Sequence, residues 1–384
     1  MRMKEFGRLG FKTSLFGLGC MRFPQRNTAA GTQVDAEEAI KMIRYAIDHG
    51  VNYLDTGYDY HQGESEVILG RALRDGYRER TKLATKLPLW HVKTLDDCRR
   101  LFAEQLRRLQ VESVDFYLLH AVNAERWRQV QELKILPFLE EMVQAGKIKY
   151  LGFSFHDELP VFKEIIDAYP WAMAQIQLNI IDARVQAGVE GLRYAGAKGV
   201  PVVIMEPLKG GRLAGPIPRD VQDLWAQAPV KRSPVEWAFR WLCHFPEVTV
   251  ILSGVSSMAQ LQENIDLFSR LEPGGMTGEE LALVEKVRNL YLSKTKVPCT
   301  GCAYCLPCPR EVAIPRIFAL YNEAFIFDDR EGAVKQYKEL TAEGKDAGHC
   351  VACGACEAAC PQKIAVPEML KAAHRGLTCF QGCQ

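Results

Sequence analysis

The stretch Val51–Gly70, VNYLDTGYDYHQGESEVILG, decides how the rest of the chain is interpreted. It starts with a short apolar run, Val51–Leu54, which is typical of a buried parallel strand. A polar loop begins at Asp55, and from Ser65 the pattern becomes that of a helix. The acid at the strand end and Tyr60, five residues later, place an ionisable pair after the carboxyl end of a strand. In a barrel of alternating strands and helices, catalytic groups lie at that end.

The same alternation recurs along the chain, because eight apolar runs are each followed by a helical pattern. The predicted strands are Leu15–Gly19, Val51–Leu54, Lys82–Thr85, Val114–Leu119, Ile148–Phe153, Ala174–Leu178, Val200–Met205 and Val248–Leu252. One helical pattern runs without a break from Glu125 to Ala145. We therefore predict an α/β fold, a (β/α)8 TIM barrel. Residues 3–14 are expected to form a hairpin that plugs one end, and the Gly- and Pro-containing loop 209–232 is long enough to carry function or form a lid.

Composition excludes several classes of protein. The 384 residues suit one large domain with a small appendage, and an apolar content of 48% is ordinary for a globular protein. A net charge of +1 gives no reason to expect a nucleic-acid or anionic-membrane partner. The chain has no run of about 20 apolar residues and no secretion signal at its amino terminus. The expected location is therefore the cytoplasm.

Three predicted strand ends carry groups that can act together. Asp55 is followed by Tyr60, Lys86 follows the third strand, and His120 follows the fourth. A buried lysine is costly unless it is paired, so Lys86 is expected to pair with Asp55. An ammonium close to a phenol favours the phenolate, so we expect a lowered pKa at Tyr60 and a usable proton donor. His120 could then polarise a carbonyl oxygen.

With these residues the sequence resembles the aldo/keto reductase family over about residues 1–295. The resemblance lies in Asp55-Thr56-Gly57-x-x-Tyr60, Gly63-Glu64-Ser65-Glu66, Thr85-Lys86, Leu118-Leu119-His120, Gly152-Phe153-Ser154, Gln175-x-x-x-Asn179, Pro207-Leu208-x-x-Gly211 and the segment from Gly254 through Gln260-Leu261-x-Glu263-Asn264. Family members are NAD(P)H-dependent carbonyl reductases. The resemblance implies the catalytic tetrad Asp55, Tyr60, Lys86 and His120, acting on a small carbonyl or alcohol substrate.

The resemblance also implies where the cofactor binds. Ser154 and Gln175 would lie near the nicotinamide carboxamide. The adenosine end would lie along residues 254–264, with Gly254, Ser256, Gln260, Glu263 and Asn264 as its candidate contacts.

The sequence departs from the family pattern at two single positions and in one segment. Phe155 replaces the usual Asn, and Met205 replaces the aromatic residue that often stacks on the nicotinamide. The segment 254–258 lacks the Arg or Lys that commonly binds the adenosine 2′-phosphate. The sequence therefore leaves the choice between NADP and NAD open.

The cysteines define a second region, which we predict to span residues 296–384. Of thirteen cysteines, only Cys20, Cys98 and Cys243 precede residue 298, and these are expected to be small core residues. The remainder include two similar runs. The first comprises Cys299, Cys302, Cys305 and Cys308-Pro309, and the second comprises Cys350, Cys353, Cys356 and Cys360-Pro361.

These runs resemble a dicluster ferredoxin module, which is a small helical domain. In such modules the fourth cysteine of each run binds the other cluster. We predict one [4Fe–4S] cluster on Cys299, Cys302, Cys305 and Cys360, and a second on Cys350, Cys353, Cys356 and Cys308. The segment between the runs is expected to form two helices. Zinc is the main alternative, but it usually takes two Cys-x2-Cys pairs. Cys379 and Cys383 are a spare pair or part of a frayed tail.

Three hypotheses connect the two regions, because hydride transfer moves two electrons and a [4Fe–4S] cluster moves one. In the first, the barrel reduces a carbonyl and the clusters exchange electrons with a ferredoxin or flavoprotein partner. In the second, the barrel is catalytic and the clusters are structural. In the third, the chain is an electron-transfer or redox-sensing subunit whose barrel only binds nucleotide. The complete tetrad argues against the third.

Overall fold

A computed structural model describes residues 1–28, 31–299, 301, 303–360 and 362–378. Cys302, Cys379 and Cys383 lie outside these ranges. The strands are β1 Met3–Glu5, β2 Lys12–Ser14, β3 Phe16–Gly19, β4 Gln25–Thr28, β5 Gly31–Val34, β6 Tyr53–Asp55, β7 Lys82–Leu87, β8 Val114–Val122, β9 Ile148–Phe155, β10 Met173–Gln177, β11 Val202–Met205 and β12 Val248–Ser253.

Eight of these strands form a closed parallel barrel in the order β3, β6, β7, β8, β9, β10, β11 and β12. This confirms the predicted TIM barrel. The antiparallel hairpin β1–β2 inserts the fully buried Phe6 into the barrel core. Phe6 lies 4.8 Å, ring to ring, from Phe116 of β8. The hairpin therefore closes one end of the barrel, as the sequence predicts.

Helices occupy the intervals between strands and continue through the carboxyl-terminal region. They are α1 Ala36–Asp48, α2 Glu64–Ala72, α3 Leu95–Leu109, α4 Ala124–Glu132, α5 Ile135–Gln144, α6 Leu159–Ala168, α7 Gly188–Ala197, α8 Arg219–Trp225, α9 Pro234–His244, α10 Met258–Arg270, α11 Gly278–Ser293, α12 Ile314–Ile326, α13 Arg330–Ala342, α14 Ala355–Ala358 and α15 Val366–Thr378. None of the helices in the described part of the chain is long and apolar enough to cross a membrane.

The uninterrupted helix predicted from Glu125 to Ala145 is wrong. The structure divides it into α4 and α5, and Lys134 adopts the left-handed conformation between them (φ 54°). Pro137 explains the break, because its ring nitrogen carries no proton for a helical hydrogen bond and its ring clashes with the carbonyl four residues earlier.

The chain forms two compact units. The first comprises Met1–Gly211 and Arg232–Thr277, and the second comprises Arg212–Lys231 and Gly278–Gln384. Most of the loop 209–232, with helix α8, therefore belongs to the second unit. Arg212 is held there by ion pairs with Glu323 and Asp329. The domain boundary between residues 295 and 296 stays a prediction.

The second unit has its own apolar core, built largely from α12, α13 and α15. Ile317, Phe318 and Leu320 of α12 are almost completely buried in it. The two predicted helices between the cysteine runs are α12 and α13, so this expectation is confirmed. Cysteines of both runs pack against the same core.

Candidate active site

Neighbouring strands bring the predicted tetrad together at the carboxyl end of the barrel. Asp55 is the last residue of β6, and its partner on β7 is Ala84, two residues before Lys86. His120 lies near the end of β8. Tyr60 begins the short 3-10 helix Tyr60–Gly63, which directly precedes α2.

Lys86 is the centre of the arrangement and is completely buried. Its ammonium donates to Asp55 Oδ1 at 2.7 Å, to the carbonyl oxygen of Thr56 at 2.6 Å and to the hydroxyl oxygen of Tyr60 at 3.2 Å. All three ammonium protons can therefore be used within the site. Because Tyr60 accepts from Lys86, its own proton is free to be donated elsewhere.

The pKa values of Lys86 and Tyr60 differ in one respect from the sequence prediction, and the difference concerns Tyr60. Burial alone would lower the pKa of Lys86, but the neighbouring Asp55 carboxylate and Tyr60 hydroxyl outweigh it and raise the pKa. At Tyr60, burial raises the pKa, and the Lys86 charge only limits the rise. The predicted lowered pKa of Tyr60 is therefore wrong for the protein alone. Desolvation of a phenolate outweighs one nearby cation, and Tyr60 is protonated at neutral pH.

His120 faces Tyr60 edge to face, with 5.9 Å between the ring centroids. Burial, followed by the charge of Lys86, holds the pKa of His120 well below its usual range. The imidazole is therefore neutral and carries one N–H. Its Nδ1 atom is buried and has no hydrogen-bond partner among the described residues. A neutral histidine can donate to a carbonyl oxygen without competing for the Tyr60 proton.

A buried network behind Lys86 contains residues that the tetrad prediction missed. Glu66 Oε1 accepts from Thr85 Oγ1 and from Gln105 Nε2, each at 2.7 Å. Gln105 Nε2 also lies 3.0 Å from the carbonyl oxygen of Lys86. Glu66 belongs to the quoted Gly63–Glu66 motif, and Gln105 is a polar residue on the buried face of α3. These two signals could have identified the network.

Ser154 and Gln175, the predicted carboxamide contacts, are paired across β9 and β10. Ser154 Oγ accepts from the backbone N–H of Ala121, the residue after His120, at 2.8 Å. Gln175 Nε2 lies 3.7 Å from Met205 Sδ. Gln175 Oε1 is buried and has no partner among the described residues. Both side chains therefore lie at the same end of the barrel as the tetrad.

The predicted adenosine segment forms the start of α10. Ser256 N and Oγ donate to Gln260 Oε1 at 2.9 and 3.3 Å. Asn264 is buried and donates to Ser253 Oγ at 3.1 Å, whereas Glu263 is exposed. Asn264 therefore stabilises the segment on its buried side, and Ser256 and Gln260 lie on its exposed side.

Arg22 is a further residue that the sequence did not predict. A side-chain carbon added at Gly254 would lie only 2.8 Å from Arg22 Cγ, and one at Gly210 would lie 3.9 Å from an Arg22 guanidinium nitrogen. The arginine therefore extends across Gly254 towards Gly210. Arg22 is more than 200 residues away from the segment 254–258, so no local motif could reveal that it brings a positive charge there.

In the second unit, cysteines from both runs line one small pocket. Cys299 and Cys305 of the first run line it together with Cys360 of the second. The other walls include Ile314 and Phe318. Three thiols around an apolar pocket suit an iron–sulfur core, which is bound by thiolates. These three cysteines come from both runs, as predicted for the first cluster. The other predicted ligand of that cluster, Cys302, lies outside the described residues.

The second predicted set is less tightly defined. Cys308, Cys350 and Cys356 pack against the same apolar core, and Cys353 is exposed. Burial raises the pKa of the Cys356 thiol, and the neighbouring Cys350 and Cys353 raise it further. No three His, Cys, Asp or Glu side chains in the described ranges are close enough to hold a single metal ion. Cys20, Cys98 and Cys243 are buried, as predicted.

Two of the most similar characterised proteins act on sugars according to their names. One is L-galactose dehydrogenase of Arabidopsis thaliana, 26% identical over 317 residues, which cover 76% of this chain and 96% of the relative. The other is 6-dehydroglucose reductase of Novosphingobium aromaticivorans, 27% identical over 284 residues, which cover 68% of this chain and 89% of the relative.

Solved structures and family descriptions agree with this similarity. The holo form of an aldo-keto reductase from Bacillus halodurans has a TM-score of 0.63 and 26% identity, covering 75% of this chain and 96% of that one. Residues 298–365 match the 4Fe-4S dicluster domain, and residues 16–273 match the aldo/keto reductase family. The chain is thus an oxidoreductase that belongs to the aldo/keto reductase family and carries a ferredoxin-type iron–sulfur domain.

Proposed function

We propose that the barrel reduces the carbonyl group of a small molecule, or oxidises the corresponding alcohol, with NADPH or NADH. The observation that carries this proposal is the pair of contacts from one buried ammonium, Lys86, to Asp55 and Tyr60. An ion pair alone would need no phenol. A proton donor beside a neutral histidine, in contrast, is what carbonyl reduction requires.

Each tetrad residue has a distinct role in this reaction. When bound, the reduced nicotinamide supplies a hydride, that is, two electrons and a proton, to the carbonyl carbon. Tyr60 gives its proton to the carbonyl oxygen, so that the products are an alcohol and the oxidised nucleotide. Lys86 stabilises the phenolate as it forms, Asp55 keeps Lys86 charged, and His120 donates its N–H to the substrate oxygen.

The residues at the barrel end fit a nicotinamide. The buried Gln175 Oε1 lacks a donor among the described residues, and a carboxamide N–H₂ group is such a donor. Ser154 lies one strand away and would share the same group. Arg22 supplies the positive charge that is missing from the segment 254–258, where Ser256 and Gln260 offer further contacts. We therefore propose that the nucleotide phosphates contact Arg22 and that NADPH binds better than NADH.

The iron–sulfur domain is proposed to hold two [4Fe–4S] clusters in the crossed arrangement. Cys299, Cys302, Cys305 and Cys360 would bind one cluster, and Cys350, Cys353, Cys356 and Cys308 the other. The cavity shared by cysteines of both runs supports the first set. Clusters of this kind carry single electrons, so we propose exchange with a ferredoxin or flavoprotein partner.

Carbonyl compounds of the sugar type are the best substrate candidates, because both characterised relatives are named for sugars. Anaerobically purified, iron-loaded protein should oxidise NADPH in the presence of sugar-type carbonyl compounds. The visible absorbance of the clusters should be followed in the same samples. Absence of NADPH oxidation with every carbonyl offered would contradict the proposed reaction. Bleaching of the clusters by a reduced partner would support their electron-transfer role, and unchanged absorbance at low potential would favour a structural one.

A further inference from the structure

Arg126 is a half-buried arginine at the catalytic end of the barrel. Helix α4 begins only four residues after His120, and Asn123 caps it by accepting from the backbone N–H of Arg126 at 2.8 Å. Arg126 therefore stands in the first turn of a helix that follows β8 almost directly. Strand β8 therefore positions the backbone of both His120 and Arg126.

The Arg126 side chain has few protein partners. One guanidinium nitrogen, Nη1, donates to the carbonyl oxygen of Ala121 at 2.7 Å. The guanidinium also lies over the indole ring of Trp90, 5.2 Å from its centroid. Among the described residues, no carboxylate lies within ion-pair distance of Arg126. Most of its N–H donors are therefore available to a ligand.

Other partly buried arginines of this chain are neutralised by acids. Arg78 pairs with the buried Asp115 at 2.8 Å, and Arg108 pairs with Glu104 at 2.7 Å. Arg212 has two acidic partners. Removing a charge from water without a counter-charge is unfavourable, so these pairs are the expected arrangement. Arg126 departs from this arrangement. Burial is the main cause of the lowered pKa of His120 and of His156, and the uncompensated charge of Arg126 adds to it.

The nearest aromatic surface connects Arg126 to the tetrad. Trp90 is 41% exposed, and its ring lies 4.8 Å from the ring of His120. Its Nε1 donates to Asp59 Oδ2 at 2.8 Å, which fixes the indole. The Asp59 carboxylate is thus already bound to Trp90, and it also contacts His91. Arg126, Trp90 and His120 form a continuous wall beside Tyr60.

We propose that Arg126 binds a carboxylate of the substrate, so that the preferred substrates are carbonyl compounds of the sugar-acid type. This inference rests on the proposed reduction. A carboxylate matches the planar donors of a guanidinium and provides the missing negative charge. The exposed face of Trp90 offers an apolar surface for the carbon skeleton between the carboxylate and the reacting carbonyl.

The test compares two aldehydes of similar size, the anionic D-glucuronate and the neutral D-glucuronamide. The wild type should reduce D-glucuronate with the higher kcat/KM. Arg126→Gln should lower kcat/KM for D-glucuronate by about 10- to 100-fold, mainly through KM, because a charge-assisted hydrogen-bonded pair is lost. D-Glucuronamide should change by less than about threefold, since a neutral amide gains little from a cation. Arg126→Lys should recover part of the loss.

Arg128→Gln is the matched control, because Arg128 is an exposed residue of the same helix. Equal losses for both aldehydes in Arg126→Gln, or a wild-type preference for the amide, would overturn the inference. Calorimetric titration with D-glucuronate keeps the test independent of turnover. Binding to the wild type that weakens about tenfold or more in Arg126→Gln supports the inference even if neither aldehyde is reduced. In that case only the proposed reaction fails. No binding to the wild type, or equal binding to both proteins, overturns the inference.

Discussion

The barrel site and the cysteine site of this chain are built in different ways. In the barrel, the protein itself satisfies the buried charge, because Lys86 has three oxygen partners within 3.2 Å. In the second unit, Cys299, Cys305 and Cys360 line a cavity whose other walls are largely apolar. We expect a bound cluster to be what fixes these cysteines in place.

This difference shows how each site depends on its cofactor. The tetrad is preorganised by hydrogen bonds, so its geometry should survive the loss of nucleotide or iron. The cysteine loops gain their binding energy from the cluster, and that energy is then part of the folding free energy of the unit. Changes in the barrel should therefore alter rates, whereas changes at the cysteines should alter iron content and stability.

Replacing Tyr60 with Phe should give the largest effect. The variant keeps the ring but lacks the proton, so kcat for carbonyl reduction should fall by about 100- to 10,000-fold. NADPH binding and iron content should stay unchanged. Tyr58→Phe is the control, because the Tyr58 hydroxyl binds Glu104 at 2.8 Å rather than Lys86. Comparable activity in wild type and Tyr60→Phe would show that the tetrad is not catalytic.

Replacing Cys360 with Ser tests the crossed arrangement of the clusters. Iron should fall from about eight to about four atoms per chain, because one cluster loses a ligand. Adding Cys299→Ser should remove no further iron, since both residues are predicted to bind the same cluster. Adding Cys356→Ser should instead remove nearly all of it. The opposite result from the two double variants would mean that each run binds its own cluster. Cys98→Ala, a change in the core of α3, should leave the iron content unaltered.

Local patterns were sufficient to predict the barrel, the grouping of the four tetrad side chains and the helices between the cysteine runs. Asp55, Lys86 and His120 each follow an apolar strand, and a closed barrel brings neighbouring strand ends together whatever the loops do. In the same way, the fixed spacing of the cysteines was sufficient to predict an iron–sulfur domain. These features depend on periodicity and topology, which a sequence carries directly.

Features that depend on the balance of opposing energies were not predicted. The pKa of Tyr60 was expected to fall, but burial outweighs the Lys86 charge, and the extent of burial is not visible in a sequence. Arg22 reaches Gly254 from a distant loop, and Arg126 reaches Trp90 from helix α4. The contacts of Arg22 and Arg126 depend on side-chain directions in the folded barrel rather than on any local motif.

Replacing Arg22 with Gln should have a smaller effect, because Arg22 is a solvent-exposed residue. A charge interaction at such a position contributes about 1 kcal/mol or less, so the Kd for NADPH should rise about two- to fivefold. The Kd for NADH should rise less if Arg22 contacts the 2′-phosphate, and equally if it contacts the pyrophosphate. Arg26→Gln serves as the control, because Arg26 is an exposed arginine of the nearby strand β4. Unchanged Kd values for both nucleotides would exclude Arg22 from the cofactor site.

The smallest predicted change is that of activity with pH. Burial, followed by the Lys86 charge, holds the pKa of His120 well below its usual range, so we expect no titration of this residue between pH 6 and 9. Tyr60 must be protonated to act, and its pKa is raised, so activity should be lost only as the pH rises above about 10. The kcat/KM for carbonyl reduction should therefore vary by less than about twofold from pH 6 to 9. A tyrosine with a lowered pKa would instead cause a progressive loss of activity within that range. The pH profile, measured with saturating NADPH, therefore decides whether the buried phenol or the neighbouring cation controls the proton, and a decline that begins near pH 8 would contradict the structure.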